Sequence, residues 1–369
     1  MLCIDTEFHR ENSYYPHLGL IQVATDTDCY LIDPLAIRDL TPFWDTIHEP
    51  ACLKVFHAGR QDVEIILRAS GRIPQPIFDT QIAAALLGLG EQASLAKLVN
   101  IVSQTVLPKS ESYSDWLSRP LTKKQITYAA HDVIYLLPVY RELEKQLQSA
   151  NRRAWLEEEQ WNLYNFDTYK ITDNDALQKV RGINGLSGQQ LAILRALSAC
   201  REHIAQRQDK PRRRVIPDEV LLTLARRNDL DSESLGQIRG ISGSRMRAVA
   251  NELINAWKQG RACPSSNWPP LRNSRAKSSG DNLRAELLSA LIRLRADQEN
   301  IAATLLAKKS DLLKLASWAG CNNSPAPDIP CMHGWRKQLI GMDMLRLLHG
   351  EICLKLDPAS GLPVILAGP

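Results

Sequence analysis

Two carboxylates stand two residues apart at Asp5 and Glu7, in the apolar run of residues 2–8. Side chains at i and i+2 of a strand share one face. Two acids on one face of a buried strand, flanked by Ile4 and Phe8, are costly unless they meet positive charge. Tyr128 and Asp132 are four apart in Tyr128-Ala129-Ala130-His131-Asp132, a spacing that stacks two side chains on one helix face. Asp62 opens a helix after the turn Phe56-His57-Ala58-Gly59. Acids delivered from a strand and two helices suit hard divalent cations. Mg²⁺ takes few protein carboxylates and completes its shell with water and phosphate oxygens. Two such ions about 4 Å apart clamp an in-line attack on a phosphodiester, one activating the water and the other stabilising the leaving oxygen. A tyrosine hydroxyl beside them would orient that water, or take its proton if its own pKa is lowered. Singly these signals are weak, since Asp-x-Glu is usually a solvated edge and Tyr-x-x-x-Asp a helix-surface pair.

The elements that must position these groups alternate early in the chain. Residues 2–8, 18–24, 29–32 and 53–56 read as strands, with Thr25-Asp26-Thr27-Asp28 a polar turn. A helix through Val63, Ile66 and Leu67 stops near Gly71, and Asp79 caps another through Ile82, Ala85 and Leu86. Helices follow at 94–102 and 122–147, the latter opened by Thr122 and Gln125 as a capping box. Strands mixed with helices predict an α/β mixed sheet flanked by helices. Beyond about 187 the period is helical, with Leu191, Leu194 and Leu197 on one stripe and Pro217 at a helix start. Residues 261–282 are Pro- and Ser-rich, as a linker is. Residues 283–350 are helical, with Ser310 the expected cap, and a small hairpin closes residues 352–366.

The 369 residues carry a formal charge of +4, but unevenly. Residues 1–150 hold 13 Lys/Arg against 18 Asp/Glu, net −5, whereas residues 181–275 hold 17 against 8, net +9. A basic stretch points to a polyanionic partner. No apolar run approaches the roughly 20 residues of a membrane span. Residues 1–5 show no secretory leader, and the eight scattered cysteines read as reduced thiols of a cytosolic protein. Cys321, Cys331 and His333 fit no zinc spacing and read as ordinary loop residues.

The order and context of the acidic motifs resemble the DEDD exonucleases, and within them the ribonuclease D family. Asp5-Thr6-Glu7-Phe8 matches the first motif, Phe56-His57-Ala58-Gly59-Arg60-Gln61-Asp62 resembles the second, and Tyr128 to Asp132 the third. The histidine subtype places its His five before the last Asp; Thr127 stands there, so the tyrosine subtype is indicated. Further matching stretches are Tyr14-Tyr15-Pro16 through Leu20-Ile21-Gln22, Phe78-Asp79-Thr80-Gln81, and Lys109-Ser110-Glu111-Ser112 through Asp115-Trp116-Leu117 to Arg119-Pro120-Leu121-Thr122. The resemblance implies a ribonuclease H-like 3′→5′ exonuclease domain over 1–150. It implies two divalent ions, Mg²⁺ or Mn²⁺, held by Asp5, Glu7, Asp62 and Asp132, with Tyr128 positioning the water. Phe8 and Gln22 would meet the terminal nucleotide; beside them, Lys109 and His131 are candidates for the substrate backbone, against the reading of a solvated loop lysine and a solvated helix position. His57 is expected to pack locally and Asp79 to cap a helix rather than bind metal. The first motif begins at residue 5, closer to the start than in the family, so its strand is expected to be less well covered.

The basic middle carries Arg201, Arg207, Lys210, Arg212, Arg213 and Arg214. Such a cluster suits phosphate contacts, with Arg212, Arg213 and Arg214 as the candidates. The turn at residues 239–244, ahead of a helix, could also cradle a phosphate. Residues 187–262 resemble an HRDC domain, reached through a helical connector at 151–186. Residues 263–282 are the expected linker, and residues 283–369 take the place of a second HRDC-like copy. The implied function is trimming of precursor-tRNA 3′ ends to 5′-mononucleotides in the cytoplasm, without a membrane or an obligate protein partner. The rivals are a DNA exonuclease of the same fold and a non-catalytic nucleic-acid-binding protein.

Overall fold

Apolar runs bounded by polar turns form β1 (Leu2–His9), β2 (His17–Ala24) and β3 (Cys29–Ile32). In the computed structural model, which describes residues 1–108, 111, 114–236, 244–270, 279–320 and 325–368, these join β4 (Lys54–Phe56) and β5 (Ile77–Asp79). The five strands order as β3-β2-β1-β4-β5. β1 pairs with β4 and β4 with β5 in parallel, while β2 and β3 pair antiparallel with Gln22 opposite Leu31. The motif strand β1 is therefore third of five, with a neighbour on each side. This corrects the expected poor cover: strands later in the chain fill the edge.

Seven helices accompany the sheet among the described residues up to 165: α1 (Thr41–Ile47), α2 (Arg60–Ser70), α3 (Thr80–Leu86), α4 (Leu95–Ser103), α5 (Lys123–Ile134), α6 (Leu136–Ser149) and α7 (Arg153–Tyr164). α2 ends at Gly71, whose φ of +76° suits a residue without Cβ. Thr122 and Gln125 form the expected capping box of α5. The single helix expected over 122–147 is two, meeting at Tyr135. Pro138 has no N–H to offer the carbonyl of Ile134 and crowds it, which explains the break.

The chain divides into two units. The first comprises Met1–Glu7, Leu20–Asn165 and Arg275–Pro369. The described residues of 275–369 share their core with the sheet. Leu288, Leu291 and Ile292 of α14 (Ser279–Glu299 in chain order, after the helices of the second unit), together with Leu315 and Met344, share one apolar cluster with Val55, Phe78, Leu86, Leu143 and Leu147. Arg152 reinforces the joint, donating to Leu86 O at 2.8 Å and to Glu299 O at 2.5 Å. Trp335 stacks on Trp155 with centroids 4.5 Å apart, and Arg336 pairs with Glu159. Residues Ile352–Leu356 and Pro363–Ala367 form the expected antiparallel hairpin.

The second unit is Phe8–Gly19 with Phe166–Ser274. Its helices are α8 (Asp173–Gln178), α9 (Gly188–Gln208), α10 (Arg212–Val215), α11 (Asp218–Ala225), α12 (Ser232–Gly236) and α13 (Ser244–Arg261). Leu191, Leu194 and Leu197 are buried in its core, as the stripe predicted. Asp209 accepts from the backbone N–H groups of Tyr14 and Tyr15, each at 3.0 Å, and from His17 at 2.9 Å. The Tyr14 hydroxyl donates to Glu202 at 2.6 Å. Among the described residues no helix is long and apolar enough to cross a membrane.

Candidate active site

β1 presents Asp5 and Glu7 on one face, and α5 brings Asp132 to them. One carboxylate oxygen from each of these three residues lies within 4.8 Å of the other two. Asp62, in the first turn of α2, is buried and accepts from Thr6 Oγ1 at 2.5 Å. Thr6, between the two acids of the first motif, was not singled out in the sequence although it sets this fourth carboxylate. Asp79 caps α3 through Gln81 N at 2.8 Å and also accepts from Ala58 N at 3.2 Å and Gly59 N at 2.9 Å. It thus holds the turn that delivers Asp62, the capping role expected of it. Gly59 is needed there because a Cβ would run into the Phe56 side chain.

The four acids repel one another in a dry setting. Burial, followed by the charges of Asp62, Asp132 and Glu7, drives the Asp5 carboxyl well above its ordinary range. Glu7 is pushed up to about 9, first by burial and then by Asp132 and Asp62. Burial raises Asp62 and Asp132 to about 6 each, against the hydrogen bonds from Thr6 and Tyr128 that favour their charged forms. An all-oxygen donor set with this excess of negative charge fits hard divalent cations and no softer metal.

Asp5, Tyr128, His131 and Asp132 line one cleft of about 320 Å³, with Leu95, Leu107 and Leu136 among its apolar walls. The Tyr128 hydroxyl donates to Asp132. His131 packs edge-on against Tyr135 at 5.4 Å, and its buried Nδ1 has no partner among the described residues. His57 also lines the cleft, with Nδ1 2.9 Å from Thr80 Oγ1, the local contact expected of it. Phe8 is half-buried directly after Glu7. Gln22 is a correction: its side chain is 0% exposed, so it has no surface to offer a nucleotide. On the strand it shares a face with buried Leu20 and belongs to the core. Lys109 and the turn at 239–243 lie outside the described residues, as does Cys321.

In the second unit the arginines divide. Arg201 is 1% exposed and bonded to Asp218 at 2.6 Å, so it is not a phosphate contact. Arg212 reaches Glu202 at 2.9 Å and lies over the Tyr14 ring, which commits it to packing. Arg213 is exposed while touching Asp218 at 3.2 Å, and Arg214 is exposed.

A family model described as 3′-5′ exonuclease matches residues 1–148, and the HRDC domain model matches residues 190–256. The ribonuclease D of Granulibacter bethesdensis is 39% identical over 358 residues, covering 96% of this chain and 89% of that protein. The chain belongs to the ribonuclease D family. The ribonuclease D of Jannaschia sp. is 38% identical over 363 residues, covering 95% of this chain and 90% of its own length. The crystal structure of Escherichia coli RNase D, an exoribonuclease involved in structured RNA processing, superposes with a TM-score of 0.78 at 31% identity. That match covers 94% of this chain and 92% of the other. The catalytic core of RRP6 from Trypanosoma brucei matches with a TM-score of 0.51 at 26% identity over 70% of this chain and 73% of its own. As a ribonuclease D, the chain is a 3′→5′ exoribonuclease of a family that uses divalent metals, and Asp5, Glu7 and Asp132 are grouped as a metal ion would need.

The raised carboxyls of this ribonuclease D have a consequence for stability. A carboxyl whose folded pKa exceeds its unfolded value makes the folded state bind protons more tightly. Its contribution is complete below the unfolded pKa and is lost as pH rises through the folded one. Without metal, stability is therefore expected to fall from about pH 4 through about 6, where Asp62 and Asp132 titrate, to about 9 for Glu7. Mg²⁺ competes with those protons. Melting in chelator and in Mg²⁺ checks this: the Mg²⁺-induced rise should be larger near pH 8 than near pH 5. An equal rise at both would remove the linkage.

Proposed function

We propose that this chain trims the 3′ ends of precursor tRNA to 5′-mononucleotides at a site holding two divalent ions. The observation that carries the reading is the carboxylate cluster opening into the cleft that Tyr128 and His131 share. Asp5, Glu7, Asp62 and Asp132 would hold the ions, which when bound supply Lewis acidity and a water acidic enough to attack at neutral pH. Tyr128 donates its proton to Asp132, leaving its oxygen lone pairs to accept from an incoming water and fix its direction. His131 offers Nδ1 to a substrate phosphate oxygen. The leucines of the cleft give the terminal base an apolar seat, and Phe8 is a further candidate for it. Arg213 and Arg214 add phosphate contacts from the HRDC domain, and Lys109 one from the nuclease. The helices of 283–350 remain a candidate second HRDC-like copy on position and helical content. Free thiols at the seven described cysteines suit a reducing cytoplasm.

End-labelled RNA and DNA of one sequence, incubated with Mg²⁺, test the substrate class. RNA is expected to shorten faster, and a tRNA precursor to stop at its mature 3′ end. Faster loss of DNA would favour the rival exonuclease, because recognition of the 2′-hydroxyl would then be missing.

A further inference from the structure

The motif running from Asp115 to Thr122 has no role in the reading above, yet it leads directly into the helix that carries Tyr128. Trp116 is 1% exposed, and its ring lies 6.1 Å from the Tyr128 ring at 39°. Leu20 and Ala129, both buried, complete the cluster, with Leu31 and Leu121 packed against it. The segment around the indole is irregular, so it owes its shape to side chains. Arg119 supplies most of that shape. Its Nε and Nη2 fork onto the two oxygens of Asp33, each at 2.7 Å, and its Nη1 donates to Trp116 O and Ser118 O, each at 2.9 Å. Asp33 follows β3 and itself accepts from Leu35 N at 2.9 Å. At the other end, Gln125 of the α5 capping box donates to Asp115 O at 3.1 Å, while Asp115 accepts from Leu117 N and Ser118 Oγ. The carbonyls on both sides of Trp116 are thus tied, one to the sheet edge and one to α5.

We infer that Trp116 and Arg119 are positioning residues for Tyr128: the Arg119–Asp33 fork fixes the segment, and the indole sets where the tyrosine ring stands in the cleft. This rests on the assignment of Tyr128 as the residue that directs the water. A bidentate guanidinium holds both direction and distance, which a lysine ammonium cannot. Reaction geometry is sensitive at this scale, since a misplacement of about 1 Å can cost up to about a hundredfold. Trp116→Phe is a clean probe, because the indole Nε1 has no hydrogen-bond partner among the described residues and only ring area is lost.

Single-turnover cleavage of a short RNA by the full chain in Mg²⁺ tests the inference. Trp116→Phe and Arg119→Lys are each expected to slow the chemical step about tenfold with KM within about twofold. Tyr128→Phe should slow it more. In the Tyr128→Phe background, neither second substitution should slow it further, since residues acting through one group are not additive. Equal slowing with and without the hydroxyl would overturn the inference and leave the tyrosine assignment standing. A Tyr128→Phe protein as fast as the parent would overturn both. If Trp116→Phe does not fold, Arg119→Lys carries the same comparison.

Discussion

Asp5→Asn should abolish measurable hydrolysis, at least about a thousandfold in kcat, while RNA affinity stays within about twofold. The side chain keeps its shape and loses its charge. The acids' hold on divalent ions is worth several kcal/mol at the transition state, and about 4 kcal/mol is roughly a thousandfold in rate. Asp5 is the position to choose because its carboxyl is opposed by all three of the others. For the same reason the metal-free Asp5→Asn protein is expected to melt higher than the parent near pH 8, since one of four mutually repelling groups has gone. Turnover assays, gel-shift titration and melting in chelator would each report separately. Activity surviving in the purified variant would sink the metal-site assignment.

Asp218→Ala should destabilise the HRDC unit by about 3–5 kcal/mol, the usual consequence of removing one partner of a buried ion pair. Arg201 is 1% exposed in α9, donating to Asp218 at 2.6 Å and to Ile216 O at 3.0 Å. Without the carboxylate, a guanidinium charge remains in the core with one carbonyl for company. Arg214→Ala is exposed and should change stability by no more than about 0.5 kcal/mol. Replacing both partners, with Arg201→Met and Asp218→Leu together, should recover most of the loss, because the buried charge leaves with its partner. Urea unfolding of the three proteins decides it. A cost below about 1 kcal/mol for Asp218→Ala would show that the pair is solvated in solution.

The sequence revealed those parts whose physics is local. Apolar runs bounded by polar turns placed β1, β2 and β3 to within a residue or two, and side-chain caps at Asp79 and Thr122 stood where expected. β5 was missed because its last residue, Asp79, also caps the next helix and drew the reading to the helix start. Ser310 is not the expected cap; the helix begins at Lys309, with Lys308 before it. The acidic set was legible because its motifs occur in order, whereas Thr6 was not, being ordinary until Asp62 is folded against it. Burial cannot be read from a lone polar residue, and it removed Gln22 from the list of substrate contacts. Nor does a linker-like composition say which body the following helices join, and here α14 packs into the core that contains Val55 and Phe78.

That last packing gives the nuclease an order of assembly. Its strands precede the helices of the second unit in the chain, whereas Leu288, Leu315 and Met344, which close the same core, follow them. Until they arrive, apolar surface around Leu86 and Leu143 lies open, and the body holding the carboxylate cluster is unfinished. An enzyme that shortens RNA from its 3′ end thus completes its cutting domain only after the HRDC helices lying between its two parts have been made.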